Sequence, residues 1–372
     1  MRLYVGTYSE PILFGTGEVF QGRGEGLYAC DFDGEAIRVL QVLKLANPSF
    51  FAFHPGGRKL YAVNEGKTFR GAYGGGVTEI DLAPDGSMTA AAAFPAGGTD
   101  PCHAALSPDG RLLAVSNYAD GSVTFFPLDA AGRIFGEGMH FRHSGSGPDA
   151  SRQQEPHTHS VLFGRGGMAW AVDLGADALF GYRIQEGAVR PDDRITLRTA
   201  PGSGPRAGVF SPRGDRLYLI HEMACAVSCW ALPEAGAPRE LATVSLLSGG
   251  ESAPGDSGAA LQLSPDGRYL YASVRGRDAL SVFALDPNGI PLLRQTVSVR
   301  GSCPRHFTVS PDGAFVLAGN QNSDSISVFH RQPDGTLRFS RELAFPTPVC
   351  LQFAPSSACP AGFPTQTFNG KV

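Results

Sequence analysis

Short runs of alternating apolar and polar residues follow one another along the chain and are cut by turn-forming residues, a pattern that predicts β-strands with one face in a core. The order of the runs repeats: a turn, a strand ending in a polar residue, then a second alternating strand. It is plainest as Ser107-Pro108-Asp109-Gly110 before LLAVSN and SVTFF, Ser264-Pro265-Asp266-Gly267 before YLYASV and LSVF, and Ser310-Pro311-Asp312-Gly313 before FVLAGN and ISVF. Weaker copies start at His54, Phe163 and Ser211. Ten residues beyond each start stand Asn64, Asn117, Asp173, His221, Val274 and Asn320, at spacings of 53, 56, 48, 53 and 46. Several short strands in a unit of that size predict a propeller-type array.

The N-terminus supplies a seventh copy without its beginning, because RLYVGTY (Arg2 to Tyr8) matches KLYAVNE (Lys59 to Glu65) strand for strand. The missing first strand lies at the other end. Residues Thr347 to Pro355 (TPVCLQFAP) match GPRAGVFSP (Gly204 to Pro212) and CPRHFTVSP (Cys303 to Pro311), and no second strand follows them. The expected fold is therefore all-β, a seven-bladed β-propeller closed by pairing the C-terminal strand with the N-terminal blade, which removes exposed sheet edges. One domain over residues 1–372 is expected, since a repeat array overrides the prior of roughly 150 residues per domain.

Composition adds limits. The 48 glycines and 28 prolines suit many tight turns, and 42% hydrophobic content is ample for a core between blades. No apolar run is long enough to span a membrane, and MRLYVGTYSE has neither the basic start nor the apolar stretch of a signal peptide, so a cytoplasmic protein is expected. A net charge of −4 provides no electrostatic footprint for nucleic acid or an anionic membrane. The seven cysteines are odd in number and scattered, and the C-x3-C spacing of Cys225 and Cys229 fits no standard zinc or redox motif. Buried free thiols are expected, without disulfides.

Candidate chemistry follows from propeller geometry. The innermost strand of a blade runs antiparallel to the next, so the beginning of the first lies beside the end of the second, and both open at one mouth of the central channel. Counted from each turn start, the innermost strand's entrance carries Ser49, Cys102, Thr158, Arg206, Ala259, Arg305 and Val349, then Phe50, His103, His159, Ala207, Ala260, His306 and Cys350. The end of the second strand carries Tyr8, Glu65, Tyr118, Leu174, Glu222, Arg275 and Gln321. With His157 two residues before His159, histidines, arginines and glutamates gather at one mouth, a setting for chemistry on an anion.

Each has a plain structural alternative. Asn64, Asn117, Asp173 and Asn320 fit side chains that cap a turn at a strand end. A lone histidine beside a channel fits hydrogen-bonded filler. The SPDG turns are turn chemistry and report the fold alone. The arginines are harder to dismiss, because cations facing one funnel repel one another unless an anionic ligand or a carboxylate sits between them. Glu222 beside Arg206 could be that carboxylate in a structural ion pair.

Taken in order, RQQEPHTHS (Arg152 to Ser160), DLGAD (Asp173 to Asp177), GSGPRAGVFSP (Gly202 to Pro212), SPDGRYLYASVRG (Ser264 to Gly276) and CPRHFTVSPDG with GNQNSDSISVF (Cys303 to Phe329) resemble the seven-bladed propeller lactonase family. That group contains bacterial propeller-type 6-phosphogluconolactonase and the fungal 3-carboxy-cis,cis-muconate lactonising enzyme. The resemblance covers essentially the whole length. It implies a functional group made of a histidine at the start of one inner strand, the arginine of a GPRH segment, a glutamate sixteen residues later and an arginine one blade on. Position by position these fall on His159, with His157 the near competitor, and on Arg206, Glu222 and Arg275. Ala207, His221 and Val274 depart from the family pattern, so the supporting hydrogen bonds differ.

The resemblance implies hydrolysis of a sugar lactone, foremost 6-phosphogluconolactone, without a cofactor. His159 is the expected acid/base and Glu222 its partner or alternative base. Arg206 and Arg275 would bind the carbonyl or carboxylate, and Arg305 with His306 would hold a phosphate or further anion. His157, His103, Gln321, Asp173 and Tyr118 complete the expected substrate contacts. His157-Thr158-His159 could present two imidazoles on one side of a strand, yet third and fourth metal ligands are not obvious and the resemblance implies no required metal. Two alternatives stay open: a lactonase or muconate-type cycloisomerase acting on another lactone, and a non-catalytic propeller that binds a partner. The repeats lack the WD dipeptides of scaffolding propellers, and the loop with Phe69 and Tyr73 reads as a lid or an inert insertion.

Overall fold

The computed structural model describes residues 1–355 except 16 and 235. Seven antiparallel sheets of four principal strands follow one another along the chain, as the repeat predicts. The innermost strands are Phe51–Phe53, Pro101–Leu106, Thr158–Phe163, Pro205–Phe210, Ser257–Leu263, Pro304–Val309 and, closing the ring, Pro348–Phe353. Each touches the next around the channel through direct contacts or hydrogen bonds. Among the described residues no helix is long and apolar enough to cross a membrane.

Closure is by the pairing expected. The strand Pro348–Phe353 runs antiparallel to Arg2–Thr7, with Leu3 opposite Phe353 and Val5 opposite Leu351. The seam is as apolar as the other blade junctions: Leu3, Val5 and Phe32 pack on Leu317, Ile326 and Val328 of the seventh blade. The blades are also latched by a repeated tyrosine. Tyr4, Tyr218 and Tyr271 donate their hydroxyls to the carbonyls of Gly86, Gly289 and Gly335 at 2.8–2.9 Å, and Tyr61 does the same to Gly132. Each bond crosses to the outer hairpin of the following blade. In these four blades the LY pair of the second strand places both the leucine and the tyrosine ring in the core and the phenol tip on a neighbouring turn.

The SPDG turns behave as turn chemistry predicts. Ser107 Oγ donates to Asp109 at 2.6 Å and accepts from the Leu112 N–H at 2.9 Å, and Gly110 takes the left-handed φ of 68° that the turn requires. A second recurrent turn sets the channel mouth. Asp177 accepts from the N–H groups of Gly202 and Gly204, Asp278 from that of Cys303, and Asp324 from that of Thr347. Each aspartate therefore pins the segment leading into the next innermost strand.

One register differs from the sequence expectation. In the fourth blade the hairpin closes between Gly164 and Met168, one residue shorter than the Ser211–Arg216 closure of the fifth. Thr158 therefore pairs with Asp173 as Pro205 pairs with His221, and His159, not Thr158, stands where Arg206 stands.

Candidate active site

Five of the innermost strands share a device that the alternating pattern hides. In the pairing with the second strand the register slips by one residue at the entrance, leaving Cys102, His159, Arg206, Arg305 and Val349 as the extra residue of a β-bulge. A bulge leaves the extra residue unpaired and re-aims its side chain. Histidine and arginine are thus turned toward the mouth from three blades.

Glu222, at the end of the second strand of the fifth blade, is the centre of the resulting cluster. Its Oε1 accepts from Arg152 Nη2 at 2.6 Å, and its Oε2 from Arg206 Nε at 3.0 Å and Arg275 Nη2 at 2.8 Å. The carboxylate is 6% exposed. Burial favours its neutral form, but the guanidinium groups of Arg275, Arg152 and Arg206 outweigh that and hold the carboxyl well below the usual carboxylate range. Arg206 is buried too and donates to the carbonyl of Ala259 on the sixth blade, while burial and the charge of Arg275 lower its pKa to about 10. Three cations on one carboxylate leave an excess of positive charge, and the Nε atoms of Arg152 and Arg275 are buried without a hydrogen-bond partner among the described residues. Those donors are left unsatisfied by the protein among the described residues.

Arg152 is the residue the sequence reading missed. It lies on the long segment between the third and fourth blades, and the visible signal was its place at the head of the RQQEPHTHS segment. It also donates to the Tyr118 hydroxyl at 3.4 Å. Tyr118 stacks on His157 with ring centroids 4.7 Å apart and meets His159 edge-on at 5.7 Å. His157 precedes the strand, and its Nδ1 lies 3.0 Å from the Tyr118 carbonyl oxygen. His159 is the bulge residue of that strand, and the rings of both histidines meet Tyr118. Among the described residues no group of three His, Cys, Asp or Glu is placed to hold a metal ion.

His159 faces Cys102, its Nδ1 3.8 Å from the thiol sulfur. Burial, then the charge of Arg206, push its pKa well below the ordinary histidine value, so the imidazole is neutral. His103 and His306 bracket neighbouring blades: the Nδ1 of each accepts a backbone N–H, from Val161 at 3.5 Å and Leu351 at 3.2 Å. Both rings also contact Phe50, and burial with the charge of Arg206 lowers both to about 3. His306 is therefore an uncharged neighbour of Arg305, which alters the expectation of a cationic pair.

Arg305 forms a second focus. Its guanidinium lies 5.4 Å from the Tyr8 ring centroid and 5.5 Å from that of Phe14, and it donates to Gln321 Oε1 at 3.4 Å. Phe14 comes from the insertion after the first strand, whose Gly15 lies against the Tyr118 hydroxyl. This insertion, not the loop with Phe69 and Tyr73, covers the arginine; Phe69 packs on Gly76 and Tyr73 is 84% exposed.

Asp173 stays outside the funnel group. Its oxygens accept from the N–H groups of His157 and Ala176 and from Thr158 Oγ1, and it is fully buried. Asn64, Asn117, His221 and Asn320 likewise bond within or beside their own blades.

A closed seven-bladed propeller with a cationic funnel of this construction defines a lactonase-type protein. The chain belongs to the seven-bladed β-propeller lactonase family, whose model matches residues 2–353. It is 29% identical over 310 residues to the 6-phosphogluconolactonase of Bacillus subtilis, covering 82% of this chain and 83% of that protein. The 6-phosphogluconolactonase of Formosa agariphila is 32% identical over 297 residues, covering 76% and 82%. Among solved structures, the periplasmic gluconolactonase of Pseudomonas aeruginosa superposes with a TM-score of 0.84 at 34% identity, over 95% of this chain and 98% of that one.

Proposed function

We propose that the chain hydrolyses a sugar lactone in its funnel, with 6-phosphogluconolactone as substrate and 6-phosphogluconate as product. The observation that carries this reading is the excess of guanidinium charge around Glu222, with donors of Arg152 and Arg275 left over. A six-membered lactone is already reactive. Water must be oriented, the oxyanion stabilised and the ring oxygen protonated. Arg206 and Arg275 suit the oxyanion, a contribution of about 3–4 kcal/mol where one such donor has been removed elsewhere. Glu222 suits a permanent anion that fixes the arginines. His159, neutral at a bulge, suits a hydrogen-bond partner for the attacking water. Arg305, stacked on Tyr8 and Phe14, suits the phosphate.

The reaction so written needs no metal, because the arginines supply the charge stabilisation. We also take the described residues as one propeller unit, with residues 356–372 of the expected single domain lying outside them. The proposed compartment is the cytoplasm, a reading supported by six thiols without a disulfide partner among the described residues. The test is hydrolysis of freshly prepared 6-phosphogluconolactone, corrected for spontaneous opening, by wild type, Arg206→Ala and His159→Ala, with and without chelator. Activity that resists chelation and falls in both variants is expected. Activity abolished by chelator, or unchanged in Arg206→Ala, contradicts the reading.

A further inference from the structure

Two carboxylates occupy equivalent places at the mouth, Glu222 in the fifth blade and Glu65 in the second, each one residue beyond its second strand. Their surroundings differ. Glu222 is bound through both oxygens by three arginines. Glu65 is equally buried, yet among the described residues no cation lies within ion-pair distance of it. Its partner is Tyr8, whose hydroxyl reaches Oε1 at 3.2 Å and Oε2 at 3.1 Å. Tyr8 in turn carries the guanidinium of Arg305 on its ring face.

From this geometry we propose that Glu65, oriented by Tyr8, is the proton-transfer residue of lactone hydrolysis, an assignment that rests on the lactonase reading above. The groups acting on Glu65 are Tyr8 from the first blade, Arg305 from the seventh, Ser49 from its own blade, and Asp100 at the entrance to the third. Burial, the largest effect, and Asp100 raise its pKa; Arg305, Ser49 and Tyr8 lower it; the balance is about 7. The other groups at the mouth are poorly suited to the task. Glu222 is held as an anion, and His159, His103 and His306 are all depressed below the ordinary histidine range.

The step balances as follows. A water oxygen bonds to the lactone carbonyl carbon while Glu65 takes one of its protons, and the carbonyl π pair moves onto oxygen, where arginine holds it. On collapse that pair re-forms the carbonyl, the bond from carbon to the ring oxygen breaks, and Glu65 returns its proton to that oxygen as the new hydroxyl. The product acid then loses its proton to solvent. No oxidant, metal or further reactant is required.

The experiment is a pH–rate profile for 6-phosphogluconolactone with the full chain, for wild type, Glu65→Gln and Tyr8→Phe. Wild-type kcat/KM is expected to rise through a limb near neutral pH. Glu65→Gln should lower kcat by about 100-fold or more and lose that limb, with KM held within about threefold. Tyr8→Phe keeps the carboxylate but removes a donor that favours its anion, so its limb should move to higher pH. If Glu65→Gln does not fold, the Tyr8→Phe shift alone decides. Wild-type kcat with an unmoved limb in Glu65→Gln, or an unmoved limb in Tyr8→Phe, overturns the assignment of Glu65 alone. A wild type no faster than spontaneous opening removes the lactonase reading itself.

Discussion

Replacing Glu222 by glutamine keeps the side chain's shape and removes the single charge that three guanidinium groups share. At an effective dielectric of about 20, charges about 4 Å apart attract by about 4 kcal/mol, and Glu222 has three such partners. Desolvation of the carboxylate offsets part of that sum. Removing one partner from a buried ion pair typically costs about 3–5 kcal/mol, because the remaining charge is left uncompensated. We therefore expect Glu222→Gln to lower the unfolding free energy by about 3–5 kcal/mol, read from denaturant midpoints at constant m-value. An added anion should offset part of the loss, since phosphate or 6-phosphogluconate bound beside the amide can neutralise the charge left on Arg152, Arg206 and Arg275; at 100 times its Kd a ligand contributes about 2.7 kcal/mol. The pH sign is also fixed. The folded pKa of Glu222 lies well below the ordinary value, so its stabilisation is complete above about pH 4.5 and is lost as pH falls through the folded pKa. The stability curves of wild type and variant should converge in acid. A variant within about 0.5 kcal/mol of wild type, the range of ordinary surface changes, would refute the argument; so would a loss that phosphate leaves untouched.

Two further outcomes follow from the fold. Tyr271→Phe strands the buried Gly335 carbonyl and removes one of the acceptors of Arg331, which donates to the same hydroxyl at 2.9 Å and stays paired with Asp266, so thermal or denaturant unfolding should show a loss of about 1–3 kcal/mol; no loss would mean that the tyrosine latch is incidental. His103, His306 and His221 are held neutral in the fold, at about 3, 3 and 4, and each titrates near its ordinary value when unfolded. Stability should therefore fall as pH drops from about 6.5 toward 4, by on the order of 1–2 kcal/mol per histidine at pH 5. Glu65, raised to about 7, acts in the opposite sense, its contribution present below about pH 4.5 and lost as pH rises through 7. A fall smaller than one histidine's share would contradict the neutral assignments.

The blade count and the closure were legible because strand alternation and SPDG turns are local signals, repeated at a near-constant spacing. The mouth positions were legible for the same reason: Arg206, Glu222, Arg275 and Arg305 all fall at repeat-equivalent places. What escaped was whatever depends on register or on loops. The β-bulges are invisible in a period-two pattern, and the shorter hairpin at Gly164 displaced the expected equivalence of His159 by one residue. Arg152 and Phe14 come from insertions that no repeat predicts. Glu65 stood in the same series as Glu222, but its surroundings, a tyrosine hydroxyl and no direct ion pair among the described residues, are set by neighbours from three blades, which only the closed ring brings together. Asp173 shows the converse, a polar residue at a repeat position whose bonds go to its own turn, to the start of the innermost strand and to His143 rather than into the funnel.

The central claim is that the arginine-rich funnel takes a phosphorylated sugar lactone. The most direct measurement is kcat/KM of the wild type for 6-phosphogluconolactone against unphosphorylated gluconolactone, each corrected for spontaneous opening. The account predicts a preference for the phosphorylated lactone of at least about 100-fold, the equivalent of about 2.7 kcal/mol from charge-assisted bonds to Arg305 and the spare guanidinium donors. Equal rates, or a preference for the neutral lactone, would contradict it.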